Sequence, residues 1–164
     1  MKWLHRLGDG LEAATLGLLA LMMAAMAVVV FCQVAARLTT GSIPWSEELA
    51  RYLMIYMTYV GASVGVKRKS HIAITFLADR LPRRPGLLVE LAGDLLCLAL
   101  CALLLRYGWR LVVLTMPQKT PAMRIPMGTA YFSVVLGALL MAVHFLTHAA
   151  DSALGLLHGG EVEP

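Results

Sequence analysis

Two long stretches without a charged residue constrain this chain more than anything else in it. Ala13 to Ala36 runs 24 residues, and Thr129 to Ala150 runs 22, with no Asp, Glu, Lys or Arg. A helix of about 20 apolar residues crosses the roughly 30 Å hydrocarbon core of a bilayer. Each stretch therefore reads as a membrane span. The rest of the chain agrees: 59% of all residues are hydrophobic and 15% charged, against about 25% charged in an average soluble domain. That balance excludes a soluble globular protein. Lys2 and Arg6 ahead of an apolar run, with Ala25-Met26-Ala27 after it, imitate a signal peptide. The run continues past that point to Ala36, too long for a signal core, so the expectation is an uncleaved first span. Gly17, Ala20, Ala24 and Ala27 line one face of it, where another helix can approach.

A second span is expected over 44–66. Pro44 suits a first helical turn, where its missing N–H would have no partner anyway. Glu47 and Glu48 follow near the positive end of the helix dipole. Glu47 precedes Arg51 by four residues, the better order for a helical ion pair. The uncharged part, Tyr52 to Val66, covers only about 22 Å at the helical rise. That puts Trp45, Glu47, Glu48 and Arg51 at or just below a membrane surface, where charges need to snorkel, pair or meet a partner. Gly61 and Gly65 form a G-x-x-x-G pair that permits close helix approach.

Lys67, Arg68 and Lys69 close this span. Ser70 to Leu81 is amphipathic, with His71, Thr75 and Asp79 on one face, and twelve residues are too few to span. The pattern predicts an interfacial helix over 70–81, ended by Pro82 and a basic turn, Arg83-Arg84-Pro85-Gly86. A third span is expected over 87–110. Gly86, Glu90, Asp94, Cys97 and Cys101 share one face of it, so the two acids face protein rather than lipid. Arg106, Tyr107, Trp109 and Arg110 mark a membrane–water interface. Three prolines between Met116 and Gly128 predict a loop of fixed shape. The fourth span is 129–150, with Ser133, Gly137, His144 and His148 near one stripe, and 151–164 reads as a short frayed tail. The three cysteines, Cys32, Cys97 and Cys101, lie in apolar runs and form no disulfide or metal framework. Six basic residues fall within Lys67 to Arg84, which puts that segment and both termini on the cytoplasmic side. They suit a membrane surface and carry no nucleic-acid motif. The expected fold is an all-α integral membrane protein of four transmembrane helices plus one interfacial amphipathic helix.

The entrance Pro44-Trp45-Ser46-Glu47-Glu48 with Arg51-Tyr52, the exit Lys67-Arg68-Lys69-Ser70-His71-Ile72, and Thr120-Pro121-Ala122-Met123-Arg124-Ile125-Pro126-Met127 resemble the small membrane subunit of TRAP (tripartite ATP-independent periplasmic) transporters. The resemblance covers most of the chain. It implies a bacterial inner-membrane protein that takes part in sodium-driven uptake of a carboxylate-type substrate. A periplasmic binding protein captures that substrate, and a large membrane subunit carries it. The small subunit braces the large one and has no substrate site. Under this reading Trp45, Glu47, Glu48, Arg51, Pro121, Arg124 and Pro126 form a periplasmic partner interface. Gly61, Gly65, Glu90 and Asp94 form a membrane partner interface. Lys67, Arg68, Lys69, His71, Arg83 and Arg84 set topology and meet lipid headgroups. Arg124 departs from the family pattern, which favours a small or apolar residue there.

Two alternatives compete with this reading. One is the small subunit of a different tripartite carboxylate carrier with similar hydropathy. The other is a haem-binding membrane oxidoreductase subunit using His144 or His148, spaced i, i+4. Two histidines without a carboxylate or cysteine ligand motif fall short of a metal site, and their bland role is that of interfacial histidines near a helix end. No phosphate loop or nucleophile motif is present. The expectation is therefore a non-enzyme without cofactor or metal.

Overall fold

The computed structural model describes residues 2–39, 41, 43–67 and 83–157. They form four helices: α1 (Lys2–Thr39), α2 (Pro44–Lys67), α3 (Arg83–Thr115) and α4 (Gly128–Leu157). Three of the four are long and apolar enough to cross a membrane, over Glu12–Thr39, Pro85–Thr115 and Gly128–Leu156. α2 falls outside that group because Arg51, Tyr52, Tyr56 and Tyr59 dilute its apolar character. The expected interfacial helix over 70–81, with Arg68, Lys69 and His71, lies outside the described residues.

The helices run past the expected spans, for local reasons in α1 and α3 and for a tertiary one in α4. α1 is already helical at Lys2 and continues through Arg37 to Thr39, where a loop was expected. Nothing in the sequence stops it before Gly41. There φ is +108°, a conformation that glycine accepts without strain. The Gly41 N–H reaches back to the Ala36 carbonyl at 2.9 Å, and the Thr39 hydroxyl donates to the Ala35 carbonyl at 3.0 Å. The first closes the helix end, and the second is a threonine side chain bonding back one turn. α2 does begin at Pro44, with the Ser46 hydroxyl and N–H both donating to the Ile43 carbonyl. The basic turn expected at Arg83-Arg84-Pro85-Gly86 is instead the first turn of α3. Pro85 is harmless there, since first-turn N–H groups have no helical partner. The expected frayed tail is helical as far as Leu157. Ser152 and Gly155 are buried, and a Cβ at Gly155 would lie 3.5 Å from Leu87 of α3, so tertiary packing holds this end.

α4 is the hub. α3 and α2 both pack along it, α1 packs on α2, and α1 only brushes α4. α2 and α4 run parallel; α1 and α3 run the other way. Two ion pairs mark the opposite ends of this array. Arg37 meets Glu47 at the end where α2 begins, and Lys67 meets Glu12 at the end where α2 stops. The core lies on both flanks of α4, where Val66, Cys101, Ala142 and Phe145 cluster with Cys97, Leu98 and Met141 against them. The arrangement is an open row rather than a closed bundle. Only 6% of the most apolar window of α1 is buried, and likewise of α3, against 33% for α4.

The parallel pair comes into very close contact. A Cβ at Gly137 would lie 2.7 Å from the Tyr59 Cβ and 2.8 Å from the Tyr59 carbonyl oxygen. Only glycine lets the α4 backbone come this close, which is the role small residues play between membrane helices. Ser63 and Ser133 are fully buried, and their hydroxyls donate to the carbonyls three residues back, Val60 and Ala130. Their polar groups are thus satisfied within their own helices and leave slim, apolar-like surfaces for packing.

Candidate functional site

The two sequence motifs meet at the end where α2 begins. Between α3 and α4 the chain forms a small hairpin over residues 118–127. Lys119 and Pro126 form a β-bridge. Thr120 N–H donates to the Ile125 carbonyl at 2.9 Å, and Met127 N–H to the Gln118 carbonyl at 2.8 Å. The Thr120 hydroxyl accepts from Ile125 N–H at 3.2 Å, and Thr120 is 2% exposed. The loop of fixed shape predicted from the prolines is therefore held by backbone pairing as well. Arg124 closes the turn at φ +55°, its N–H on the Thr120 carbonyl at 3.2 Å. A left-handed conformation costs a residue with a side chain about 1–2 kcal/mol. The surrounding hydrogen bonds impose it.

Glu48 ties this hairpin to α2. Its Oε2 accepts from the N–H groups of Ala122 and Met123, each at 3.0 Å, and its Oε1 accepts from the Tyr52 hydroxyl at 2.9 Å. The Thr120 hydroxyl lies beside the same carboxylate. Every hydrogen-bonding group aimed at these two oxygens from Ala122, Met123 and Tyr52 is a donor. An ionised carboxylate, which only accepts, matches that set. One turn deeper the Tyr56 hydroxyl donates to the Thr129 carbonyl at 2.6 Å, clamping the first turn of α4. Glu48, Tyr52 and Tyr56 recur at i, i+4, so one face of α2 supplies the whole clamp.

Glu48, expected in the partner interface, is only 8% exposed, and its hydrogen-bond partners lie within this chain. The expected pair of Glu47 with Arg51 does not form. Glu47 instead meets Arg37 of α1 at 3.0 Å, because α1 continues far enough to bring that guanidinium across. Trp45, Arg51, Pro121, Arg124 and Pro126 are exposed around the clamp, and the structure gathers them at one end of the molecule. The expected membrane interface is not one surface. Gly61 faces Leu19 of α1 at ordinary contact distance and Gly65 has nothing within 4 Å of a Cβ position. Glu90 and Asp94 are half-buried on the stripe of α3 that meets α4. The glycine that lets α2 and α4 approach closely is Gly137, and Gly128 does the same between the start of α4 and Val112 of α3. The signal of Gly137 was its place in a stripe with Ser133.

At the opposite end Lys67, expected to meet lipid headgroups, meets Glu12 of α1 at 2.9 Å, both side chains about one-fifth exposed. Arg83 and Arg84 open α3. The histidines do not sit near a helix end: α4 continues nine residues beyond His148. His144 is 2% exposed, and the His148 Nε2 is buried without a hydrogen-bond partner. No group of three or more His, Cys, Asp or Glu among the described residues is arranged to hold a metal ion.

With the fold in view, comparison with known proteins is decisive. The family described as "Tripartite ATP-independent periplasmic transporters, DctQ component" matches residues 26–155, from the middle of α1 to the end of α4. The chain belongs to the DctQ family. A TRAP transporter small permease protein of Haemophilus influenzae is 28% identical over 156 residues, 94% of each chain. The sialic acid TRAP transporter small permease protein of Vibrio cholerae is 37% identical over 90 residues, 54% of this chain and 52% of that one. The isethionate TRAP transporter permease protein of Oleidesulfovibrio alaskensis is 32% identical over 124 residues, covering 69% of this chain but 20% of that longer protein. This DctQ-family chain is a small TRAP transporter permease subunit, a multi-pass protein of the inner membrane.

Proposed function

We propose that this DctQ-family chain braces a large membrane subunit in a sodium-driven uptake system. In that system a periplasmic binding protein delivers a small organic acid. The observation that carries the proposal is the open row of helices. Few residues in the apolar stretches of α1 and α3 are buried within this chain, and α2 is too polar to face lipid on every side. Such a row suits a second membrane protein laid against it. The isethionate permease supports the pairing, since there the related segment is a fifth of a much longer permease polypeptide. The relatives' named substrates, sialic acid and isethionate, are both organic acids, one a carboxylate and one a sulfonate. Four helices with no interrupted pair among the described residues suit a brace better than a carrier.

In this reading the Glu48 clamp faces the periplasm, in keeping with the basic segment Lys67 to Arg84 on the cytoplasmic side. The exposed Trp45, Arg51, Pro121, Arg124 and Pro126 rim the clamp where the other components approach. The test is reconstitution into vesicles with an imposed sodium gradient. The chain alone gives no uptake of a labelled organic acid. Uptake appears when the large subunit and the binding protein are added. Uptake by the isolated chain overturns the bracing role. Cysteine introduced as Ser42→Cys, in a background without Cys32, Cys97 and Cys101, is labelled from the periplasm, and Ser70→Cys is not.

A further inference from the structure

α2 and α4 meet closely at Tyr59 and Gly137, and nearer the clamp the Tyr56 hydroxyl reaches the Thr129 carbonyl. Between the two helices opens a cleft of about 390 Å³, with Arg51, Ile55 and Tyr59 on one wall and Ala130, Tyr131 and Val134 on the other. The α2 wall is one helix face at i, i+4, i+8, so the cleft runs about 12 Å along the helix axis. It is polar at the top, apolar in the middle and closed below by the Tyr59–Gly137 contact. Arg51 forms no ion pair with any described residue, since Glu47 is held by Arg37 and Glu48 by the hairpin. The hydroxyls of Tyr59 and Tyr131 also lack hydrogen-bond partners among the described residues. One cation and two phenols therefore line the same cleft with their donors unused.

We propose that this cleft holds a phospholipid, with its phosphodiester on Arg51 and an acyl chain along Ile55, Ala130 and Val134. The argument is the match of polarity with depth. Arg51 is the last charged residue before the uncharged Tyr52–Val66 stretch, so it lies at headgroup level. A guanidinium binds a phosphate through paired charge-assisted hydrogen bonds. Below it the apolar walls take the chain, and the two phenols are further donors in the same cleft. A carboxylate from a protein partner satisfies Arg51 but leaves the lower cleft empty. The walls of the site lie wholly within this chain, and Arg51 is the one residue it shares with the rim where the other components approach.

Native mass spectrometry of the detergent-purified full chain tests the assignment. Three probes separate the chemistries: phosphatidylglycerol, a diacylglycerol with the same chains, and glycerol 3-phosphate. Phosphatidylglycerol stays bound, whereas the diacylglycerol, lacking the phosphate, and glycerol 3-phosphate, lacking the chains, do not. Arg51→Gln lowers phosphatidylglycerol retention about tenfold, in line with the loss of a charged hydrogen bond. Ala130→Phe, which fills the apolar wall and keeps the cation, lowers it as well and stands on its own if Arg51→Gln folds poorly. Equal retention by both variants overturns the site. So does equal binding of glycerol 3-phosphate, which means an anion site only, or of the diacylglycerol, which means an apolar groove only. Loss of the large subunit from Arg51→Gln with lipid retention unchanged assigns Arg51 to a protein partner and overturns the lipid site.

Discussion

The seam between α2 and α4 and the outer faces of α1 and α3 are built from the same residue types put to opposite use. At the seam a glycine, Gly137, admits the backbone of Tyr59, and an acid, Glu48, is bound from two elements. On the outer face of α1 Gly17, like Gly65 on the open side of α2, has no atom within 4 Å of a Cβ position, and large apolar side chains such as Phe31 of α1 and Leu96 of α3 are about three-quarters exposed. One region is finished within this chain; the other is finished by something outside it. Glycine and glutamate therefore mean little as types. What surrounds each one decides whether a substitution acts on this chain's folding or on its assembly.

The largest expected effect comes from placing a side chain at Gly137. The obstructing atoms are backbone and Cβ, which cannot swing aside, so Gly137→Leu costs about 3 kcal/mol or more. Thermal unfolding in detergent measures it. Gly65→Ala is the counterpart. With open space at Cβ and alanine the better helix former, it leaves the isolated chain as stable or up to about 1 kcal/mol more so. It loses co-purification with the large subunit if that partner packs there. Equal unfolding temperatures for the two variants break the comparison.

Glu48→Gln comes next. The amide keeps one acceptor oxygen, but its NH₂ faces groups that are themselves donors, so at least one hydrogen bond to the hairpin or to Tyr52 is lost. Hydrogen exchange at the Ala122 and Met123 amides reads this directly. Both speed up strongly in the variant, while amides in the middle of α4 do not. Unchanged exchange at both means that the carboxylate is not what holds the hairpin.

These two positions also show how much was legible. The apolar runs made the helices readable, and the prolines between Met116 and Gly128 made the fixed loop readable, because both signals are local. Helix ends were misread wherever a distant contact decides them. The last two turns of α4 are held by Leu87, some seventy residues away in sequence. The partner of Glu47 differs from the expected one for the same reason: sequence offers Arg51 at i+4, whereas the fold offers Arg37 across a helix pair. For Glu48 the i+4 neighbour, Tyr52, is a true partner, and the two amides on the hairpin lie more than seventy residues on, out of reach of any local signal. Gly61 and Gly65 carried the stronger motif, yet the close approach uses Gly137, since spacing within one helix does not say which helix comes near.

Arg124 gives a smaller effect of opposite sign. Its φ of +55° suits glycine, so Arg124→Gly removes the left-handed penalty and stabilises the hairpin by up to about 1 kcal/mol. The greater freedom of glycine in the unfolded chain offsets part of that gain. The same variant weakens transport or assembly if a partner reads the exposed guanidinium. A variant that is more stable and fully active makes Arg124 a tolerated departure from its family's pattern, and moves the partner surface toward Trp45 and Pro121.

Glu47→Gln is the smallest effect and the sharpest control on Glu48→Gln, one residue away. The Arg37–Glu47 pair is 3.0 Å long, but its side chains are 64% and 46% exposed. Water competes for both groups, and two long side chains lose rotamer freedom in meeting. Such pairs contribute about 0.2–1 kcal/mol, and salt screens them. The Glu12–Lys67 pair at the other end is only about one-fifth exposed and is screened less. Unfolding of Glu47→Gln therefore differs from the parent by a few tenths of a kcal/mol in dilute buffer. The difference vanishes at about 1 M salt, where the Debye length is about 3 Å. Lys67→Gln keeps most of its larger loss at that salt concentration. If Glu47→Gln instead matches Glu48→Gln in hairpin exchange and stability, the two glutamates act as one cluster. The line drawn between a finished seam and an open surface then fails at the residue where it is most closely drawn.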